Sequence, residues 1–168
     1  MLQKYLDEFL SLTTNKHAGA IAPHKPILLL SVIDLFEGGQ LKDNHIELTD
    51  QLERLFMCNW HQYVGNSLFY RPNIDKPYWH MKNEPFWELV SKSSLPVEAI
   101  KSPYSVKTLQ ENVYAVIDEE LVLLLKDPEM REVLRKSLID KYMGDYLAKR
   151  KMIAPIICFA SILLNLAS

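Results

Sequence analysis

The sequence predicts an α+β domain that is predominantly helical, with a small β-hairpin or short sheet. Apolar residues recur at helical spacing in several segments bounded by proline, glycine or polar residues. Segments with strand character are few and short. With 168 residues, 48% of them apolar, the chain can bury one core. We expect a compact single domain over residues 1–147 and an apolar tail over residues 148–168.

Two helices are expected at the start of the chain. The first, "LQKYLDEFL", is amphipathic because its apolar residues recur at helical spacing. The second should run from near Pro26 to Gly38 and Gly39, which stop it. Its middle, "ILLLSVIDLF", is apolar on most faces, which predicts a buried central helix.

The middle of the chain mixes short elements with loops. "NHIELT" is compatible with a short strand, and Thr49 or Asp50 can cap the helix that follows. "GNSLFYRPNIDKP" has the composition of a loop. The two aromatic stretches of "YWHMKNEPFWELV" predict a hairpin, with Trp79, Met81 and Trp87 inside, although its Asn-Glu pair is a weak turn signal.

The next segments are a second loop, "SKSSLPVEAIKSPYSVK", and "NVYAVI", which is either a strand or a lead-in. "DEELVLLLKD" predicts a short helix opened by acids. The last helix should begin with Asp127 as cap and Pro128 at the first position. Its expected inner stripe is Met130, Val133, Leu134, Leu138 and Tyr142, and its outer residues are Arg131, Arg135, Lys136 and Lys141.

Charge and cysteine content narrow the class of function. The net charge is −2, so any contact with nucleic acid must come from a local basic patch. Cys58 and Cys158 lie far apart and outside any metal-binding spacing, which argues against a zinc site or a disulfide framework. The first residues carry acids and do not resemble a signal peptide, so a cytoplasmic location is expected.

His24 and Lys25 form the first candidate site. Because the residue before a proline avoids helical geometry, we expect Lys25 to be extended or a cap, and Pro26 to take the first helical position. Both polar side chains then project from a helix N-terminus, which attracts anions. The alternative is an ordinary helix start with two solvated side chains.

Two further basic segments could contact phosphates. "RPNIDKPYWHMKNEPFWEL" interleaves Arg71, Lys76, His80 and Lys82 with prolines and aromatic residues, a pattern suited to a phosphate backbone with neighbouring apolar surface. The alternative is a core hairpin with outward basic residues. In the second loop, "SKSSLPVEAIKSPYSVK", Lys101 and Lys107 are further candidates for phosphate contacts, and the alternative is a solvated loop.

Catalytic motifs are weak or missing. The five histidines form neither an HNH metal pattern nor an HExxH motif, and there is no phosphate-binding glycine loop. Asp75 with "KNE" loosely resembles a PD-(D/E)xK nuclease but lacks its spacing. We therefore predict no catalytic residue, no bound metal and no cofactor. A nuclease, or a nuclease remnant, with an unrecognised acidic site stays an alternative, as does a protein-interaction module of a defence system.

Four segments together resemble the sulfur-binding domain of ScoMcrA-like, phosphorothioation-dependent restriction endonucleases. Their order and spacing fit over roughly residues 1–145, and the first and third are the specific ones. The segments are "APHKPILLLSVIDLFEGG", "NHIELTDQLERLF", "KPYWHMKNEPFWEL" and "DPEMREVLRKSLIDKYM".

The resemblance implies a mostly helical domain that binds double-stranded DNA in which sulfur replaces a non-bridging phosphate oxygen. The sulfur would enter a shallow apolar cavity, and basic groups would hold the flanking phosphates. His24 and Lys25 would contact the modified phosphate, Pro77 would form a cavity wall, and Lys76 and His80 would line its rim. The implied setting is restriction or defence.

Three departures from the family pattern affect this expectation. Lys76 occupies a position where family members often have tyrosine, and His80 occupies one where some members have a small residue. Both residues should make the cavity more polar. Whether the cavity still prefers sulfur to oxygen is left open. Relatives also carry an HNH nuclease domain, for which this chain has no room. The chain is therefore expected to be the binding module alone, with a possible separate nuclease subunit.

Three interpretations of the uncharged segment 152–168 are considered. As a helix its 17 residues would span about 26 Å, at the lower limit for crossing a membrane. Pro155 and Asn165 argue against a membrane anchor. The favoured interpretation is a helix packed on the domain or in a homo-oligomer interface. The third interpretation is a non-native extension.

Overall fold

The computed structural model describes residues 1–101 and 105–150. Two predictions depend on residues outside these ranges. They are the domain boundary after residue 147 and the three interpretations of the tail. Within the described residues the fold is α+β and predominantly helical, as predicted. No helix in residues 1–101 or 105–150 is both long and apolar enough to cross a membrane.

The elements follow one another along the chain with short connections. The helices are α1 (Leu2–Leu10), α2 (His24–Glu37), α3 (Asp50–Asn59), α4 (Asp75–His80), α5 (Val106–Asn112), α6 (Glu119–Lys126) and α7 (Pro128–Leu138). The strands are β1 (Lys16–His17), β2 (Ala20–Ile21), β3 (His45–Ile46), β4 (Trp87–Ser91) and β5 (Val113–Ile117). Shorter 3-10 turns cover Met81–Asn83 and Val97–Ala99, π-helical turns cover Trp60–Val64 and Ile139–Met143, and residues 144–150 are helical.

Helix α2 is the buried central helix that the sequence predicted. Its apolar residues from Ile27 to Phe36 are all buried, and α3, α4, α6 and α7 pack around it. The predicted start was wrong, because the helix begins at His24 with Pro23 as its cap, and Lys25 is a buried residue of the first turn. Pro26 can occupy the third helical position because the first N–H groups of a helix need no partner within the helix. A residue before proline prefers extended backbone, but at Lys25 the packing of α2 outweighs this preference.

A three-stranded antiparallel sheet of order β3-β5-β4 covers one side of the core. In the central strand β5, Val113, Ala115 and Ile117 are buried while the alternate residues are half-buried, as expected for a sheet with one inner face. Ala115 pairs with Ile46 on one side and with Leu89 on the other. The strands expected in "NHIELT" and "NVYAVI" are both present.

The hairpin expected in "YWHMKNEPFWELV" is wrong. Helix α4 and the 3-10 turn occupy its first half, and only β4 is extended. Trp79, Met81 and Trp87 are buried as predicted, but the first two are buried from helical backbone. Alternation over four residues cannot separate a strand from a short helix when no strong turn residue divides the segment.

Both predicted loops are longer than the loops in the structure, because a helix begins within each of them. Helix α4 begins inside the first expected loop, at Asp75. Helix α5 begins inside the second, where the Ser105 hydroxyl accepts a hydrogen bond from the Thr108 N–H at 3.1 Å. Serine favours both loops and helix caps, so composition alone did not locate this helix start.

Helices α6 and α7 meet at Asp127 as predicted, but the inner stripe of α7 is partly different. Val133 is exposed, whereas Arg131 is buried and donates to the carbonyl oxygen of Leu125 at 3.0 Å. The last carbonyls of α6 need donors, and an arginine can bury its stem while supplying one. Arg135 is half-buried and forms an ion pair with Asp34 at 2.6 Å.

The two ends of the described chain are joined in the core. Helix α1 packs on α7. Beyond α7, the Tyr142 hydroxyl donates to the carbonyl oxygen of Phe9 at 2.9 Å and accepts from the Leu12 N–H at 3.2 Å. These bonds fix the point where α1 ends and the chain turns towards β1.

The cap of α7 gives a test of this fold. The Asp127 carboxylate accepts from the N–H groups of Glu129 at 2.9 Å and Met130 at 3.1 Å. We expect Asp127→Ala to lower the free energy of unfolding by about 1 kcal/mol, measured by urea denaturation. The control Asp140→Ala removes only an exposed ion pair with Lys136 and should cost less than about 0.5 kcal/mol. Equal losses in the two variants would contradict the cap assignment.

Candidate nucleic-acid interface

A cleft of about 530 Å³ lies at the N-terminal end of α2, opposite α4. It brings together all five residues predicted for DNA and sulfur binding, together with Arg71. The lining residues are Thr13, Thr14, Asn15, Ala22, His24, Lys25, Arg71, Asn73, Lys76, Pro77, His80 and Asn83.

The start of α2 brings to this region backbone N–H groups that have no partner within the helix. The first hydrogen bond of the helix runs from the Ile27 N–H to the Pro23 carbonyl oxygen at 2.9 Å. The N–H groups of His24 and Lys25 precede that bond and have no partner within the helix. Free N–H groups and the helix dipole favour an anion at this end.

Lys25 is buried in an ion pair with Glu84, whose carboxylate is buried as well. The same carboxylate oxygen accepts the Thr13 N–H at 3.1 Å. Glu84 therefore offsets the lysine charge and fixes the ammonium group at the cleft. Sequence reasoning missed Glu84, although a lysine in an apolar helix start signals that an acidic partner must be found.

His24 is held as a neutral imidazole. Its Nε2 lies 2.9 Å from the Arg71 carbonyl oxygen, so this nitrogen carries the hydrogen and donates it. The ring also packs against Trp60 and Tyr70. Burial lowers the pKa of His24 below its ordinary value of 6.5, so the side chain is mostly uncharged at neutral pH.

Pro77 forms a buried apolar wall between two exposed polar residues, Lys76 and His80. Burial, followed by the nearby Lys25, Lys82 and Lys76 charges, lowers the pKa of His80. At neutral pH the exposed cations of the cleft are therefore Lys76 and Arg71. The result is an apolar surface directly beside positive charge.

The other three candidates for phosphate contacts lie outside the cleft. The Lys82 ammonium sits 4.1 Å from the centre of the Trp79 ring and borders a separate depression along β4. Lys101 is exposed, and Lys107 is exposed with its ammonium 3.9 Å from the Glu111 carboxylate. Neither lines the cleft.

Small polar residues complete the cleft, and no pattern in the sequence pointed to them. Thr13, Thr14 and Asn15 lie in the connection between α1 and β1, Asn73 lies in the loop before α4, and Asn83 ends the 3-10 turn that follows it. The Asn73 Oδ1 atom is buried and has no hydrogen-bond partner among the described residues. In residues 1–101 and 105–150 no group of three or more histidine, cysteine or acidic side chains is placed to hold a metal ion.

The chain belongs to the family of ScoMcrA-like DNA sulfur-binding domains, whose model matches residues 2–154. Among solved structures, it is similar to the sulfur-binding domain of SprMcrA complexed with phosphorothioated DNA. That match has a TM-score of 0.61 and 17% sequence identity, and it covers 86% of each chain. No curated protein matches the chain.

Removing the carboxylate of the buried pair should strongly destabilise the domain. We expect Glu84→Gln to lower the free energy of unfolding by about 3 kcal/mol or more, because it leaves the Lys25 charge buried without a partner. The double variant Lys25→Met with Glu84→Gln leaves no buried charge without a partner, so it should recover part of the lost free energy of unfolding. Glu88→Gln, on the exposed side of β4, serves as the control in the same urea titration.

The lowered pKa of His24 predicts how stability responds to pH. The unfolded chain takes up a proton near pH 6.5, whereas the folded state takes it up only at lower pH, so stability should fall as the pH drops below about 6.5. In urea titrations at pH 8 and pH 5.5, His24→Gln should lose less stability between the two pH values than the native protein. An equal loss in both would show that His24 does not contribute to the dependence.

Proposed function

We propose that the cleft binds the backbone of double-stranded DNA at a phosphorothioate linkage. The observation that carries this proposal is that Pro77, an apolar residue of the cleft wall, lines the same cleft as Lys76 and the first residues of α2. Family membership and the resemblance to a sulfur-binding domain in complex with phosphorothioated DNA support it.

The chemistry of the ligand matches this arrangement. A phosphorothioate keeps the negative charge of a phosphate, but its sulfur is larger and less well hydrated than oxygen. Apolar contact therefore costs less desolvation at sulfur than at oxygen. The sulfur would lie against Pro77, while the remaining oxygen faces the N–H groups of His24 and Lys25 and the Lys25 ammonium.

Lys76 and His80 set the degree of selectivity. Both are exposed at the rim, and the wall itself is the proline ring. A lysine can lay its aliphatic stem along apolar surface while its ammonium reaches solvent or a phosphate. We propose that Lys76 takes a flanking phosphate in this way, together with Arg71, and leaves the apolar wall available to sulfur.

The proposed setting is restriction or defence, in the cytoplasm. A binding module of this kind would act by bringing a nuclease to modified DNA, and a separate nuclease subunit is the proposed partner. Co-purification of the full chain with candidate nucleases, with and without phosphorothioated duplex, tests this part independently of the cleft.

Replacing the cavity wall should reduce discrimination between the two backbones. Affinity is measured by fluorescence anisotropy for a phosphorothioated duplex and for a plain duplex of the same sequence, at one fixed salt concentration because phosphate contacts depend on salt. We expect the native protein to prefer the modified duplex and Pro77→Ala to reduce that preference at least about fourfold, since each lost methylene contact is worth ~0.8 kcal/mol.

Pro85→Ala is the matched control, because Pro85 is exposed and lies outside the cleft. Equal affinity of the native protein for both duplexes would overturn sulfur recognition while leaving DNA binding intact. No binding to either duplex at low salt would overturn the proposal altogether. Adding Mg²⁺ to the same mixtures tests the nuclease alternative, which requires that the duplex be cut.

A further inference from the structure

We infer that Leu68 and Phe69 form a second DNA contact, an apolar tip that packs against the sugar and base surface beside the phosphate held in the cleft. This inference rests on the proposed function. It starts from exposure: Leu68 is 90% exposed and Phe69 is 45% exposed, next to each other in the segment before α4. Together these two large apolar side chains form an exposed apolar patch, a feature that is typical of interaction sites.

The tip is held outward by hydrogen bonds. The Ser67 hydroxyl accepts the N–H groups of Phe69 and Tyr70, each at 3.2 Å, and the Tyr70 hydroxyl donates to the Ala20 carbonyl oxygen at 2.8 Å. The Phe69 ring packs against the His17 ring in a tilted arrangement, with the ring centroids 4.9 Å apart. Leu68 is therefore presented to solvent by a fixed backbone, and binding through it loses little loop entropy.

The tip is continuous with the cleft through Arg71. Arg71 lines the cleft and also borders a shallow depression that Leu68 lines. Its guanidinium donates to the Ser67 carbonyl oxygen at 2.7 Å, and its own carbonyl oxygen accepts from His24. A duplex whose phosphate lies in the cleft therefore extends past Arg71 onto Leu68.

The charges around the tip favour a polyanion. Leu68 lines a second depression that Lys149 and Arg150 border. Among the described residues, no aspartate or glutamate lines either depression. Leucine and phenylalanine are side chains that proteins place against bases or between base steps when basic residues hold the neighbouring phosphates.

The test uses the full chain with the same two duplexes. Leu68→Ser should lower the affinity for both duplexes by the same factor, about tenfold, because burying a leucine on binding is worth about that much. The preference for sulfur should stay unchanged, unlike in Pro77→Ala. Leu123→Ser is the control, since Leu123 is 60% exposed on α6 and lines neither the cleft nor the two depressions.

A tryptophan placed at the tip gives an independent readout. Trp60, Trp79 and Trp87 are all buried, so the added indole in Leu68→Trp should dominate the solvent-exposed emission. Adding duplex should quench or blue-shift that emission, whereas Leu123→Trp should not respond. A silent Leu68→Trp signal while the duplex is bound would overturn the inference.

The remaining outcomes separate this inference from the proposed function. Unchanged affinity in Leu68→Ser with native DNA binding overturns the tip contact alone. Unchanged affinity together with a lower melting temperature would assign Leu68 a role in the stability of the chain and also overturns it. If the native chain binds neither duplex, the proposed function and the tip contact fail together.

Discussion

The buried ion pair between Lys25 and Glu84 is the constraint on which the cleft depends. It joins the first turn of α2 to the turn that follows α4, and the shared contact with the Thr13 N–H adds the segment after α1. Three segments that are distant in sequence are thereby held around one charge. Moving any of them would leave a buried charge or carboxylate without its partner, so the cleft geometry is strongly specified.

This pairing also divides the cleft into a floor and a rim. At the floor, the lysine charge is offset by Glu84 and the imidazole of His24 is neutral, so little free charge faces the apolar wall. At the rim, Lys76 and Arg71 are exposed. Under the proposed function, charge would guide an anion to the opening, whereas the floor would distinguish ligands by their polarity and size.

What the sequence could predict was local. The buried α2, the Asp127 cap and a cap at Thr49 or Asp50 were predicted from nearby residues, and the structure contains all of them, with Thr49 as the cap of α3. Helix α4 was mistaken for half a hairpin because packing against α2 decided a segment with no clear period. Glu84 was missed because its partner lies 59 residues away, a separation that no local pattern encodes.

The bridge made by Tyr142 has a consequence for the order of events during folding. It fixes residues 9 and 12 from positions 133 and 130 residues later in the chain, and residue 12 directly precedes Thr13, whose N–H donates to Glu84. Closing so long a loop is slow and carries an entropic cost that only late contacts repay. On the ribosome, the Tyr142 bonds to residues 9 and 12 can form only after residue 142 has emerged, so the end of α1 is fixed after the segments that carry Lys25 and Glu84 have been synthesised.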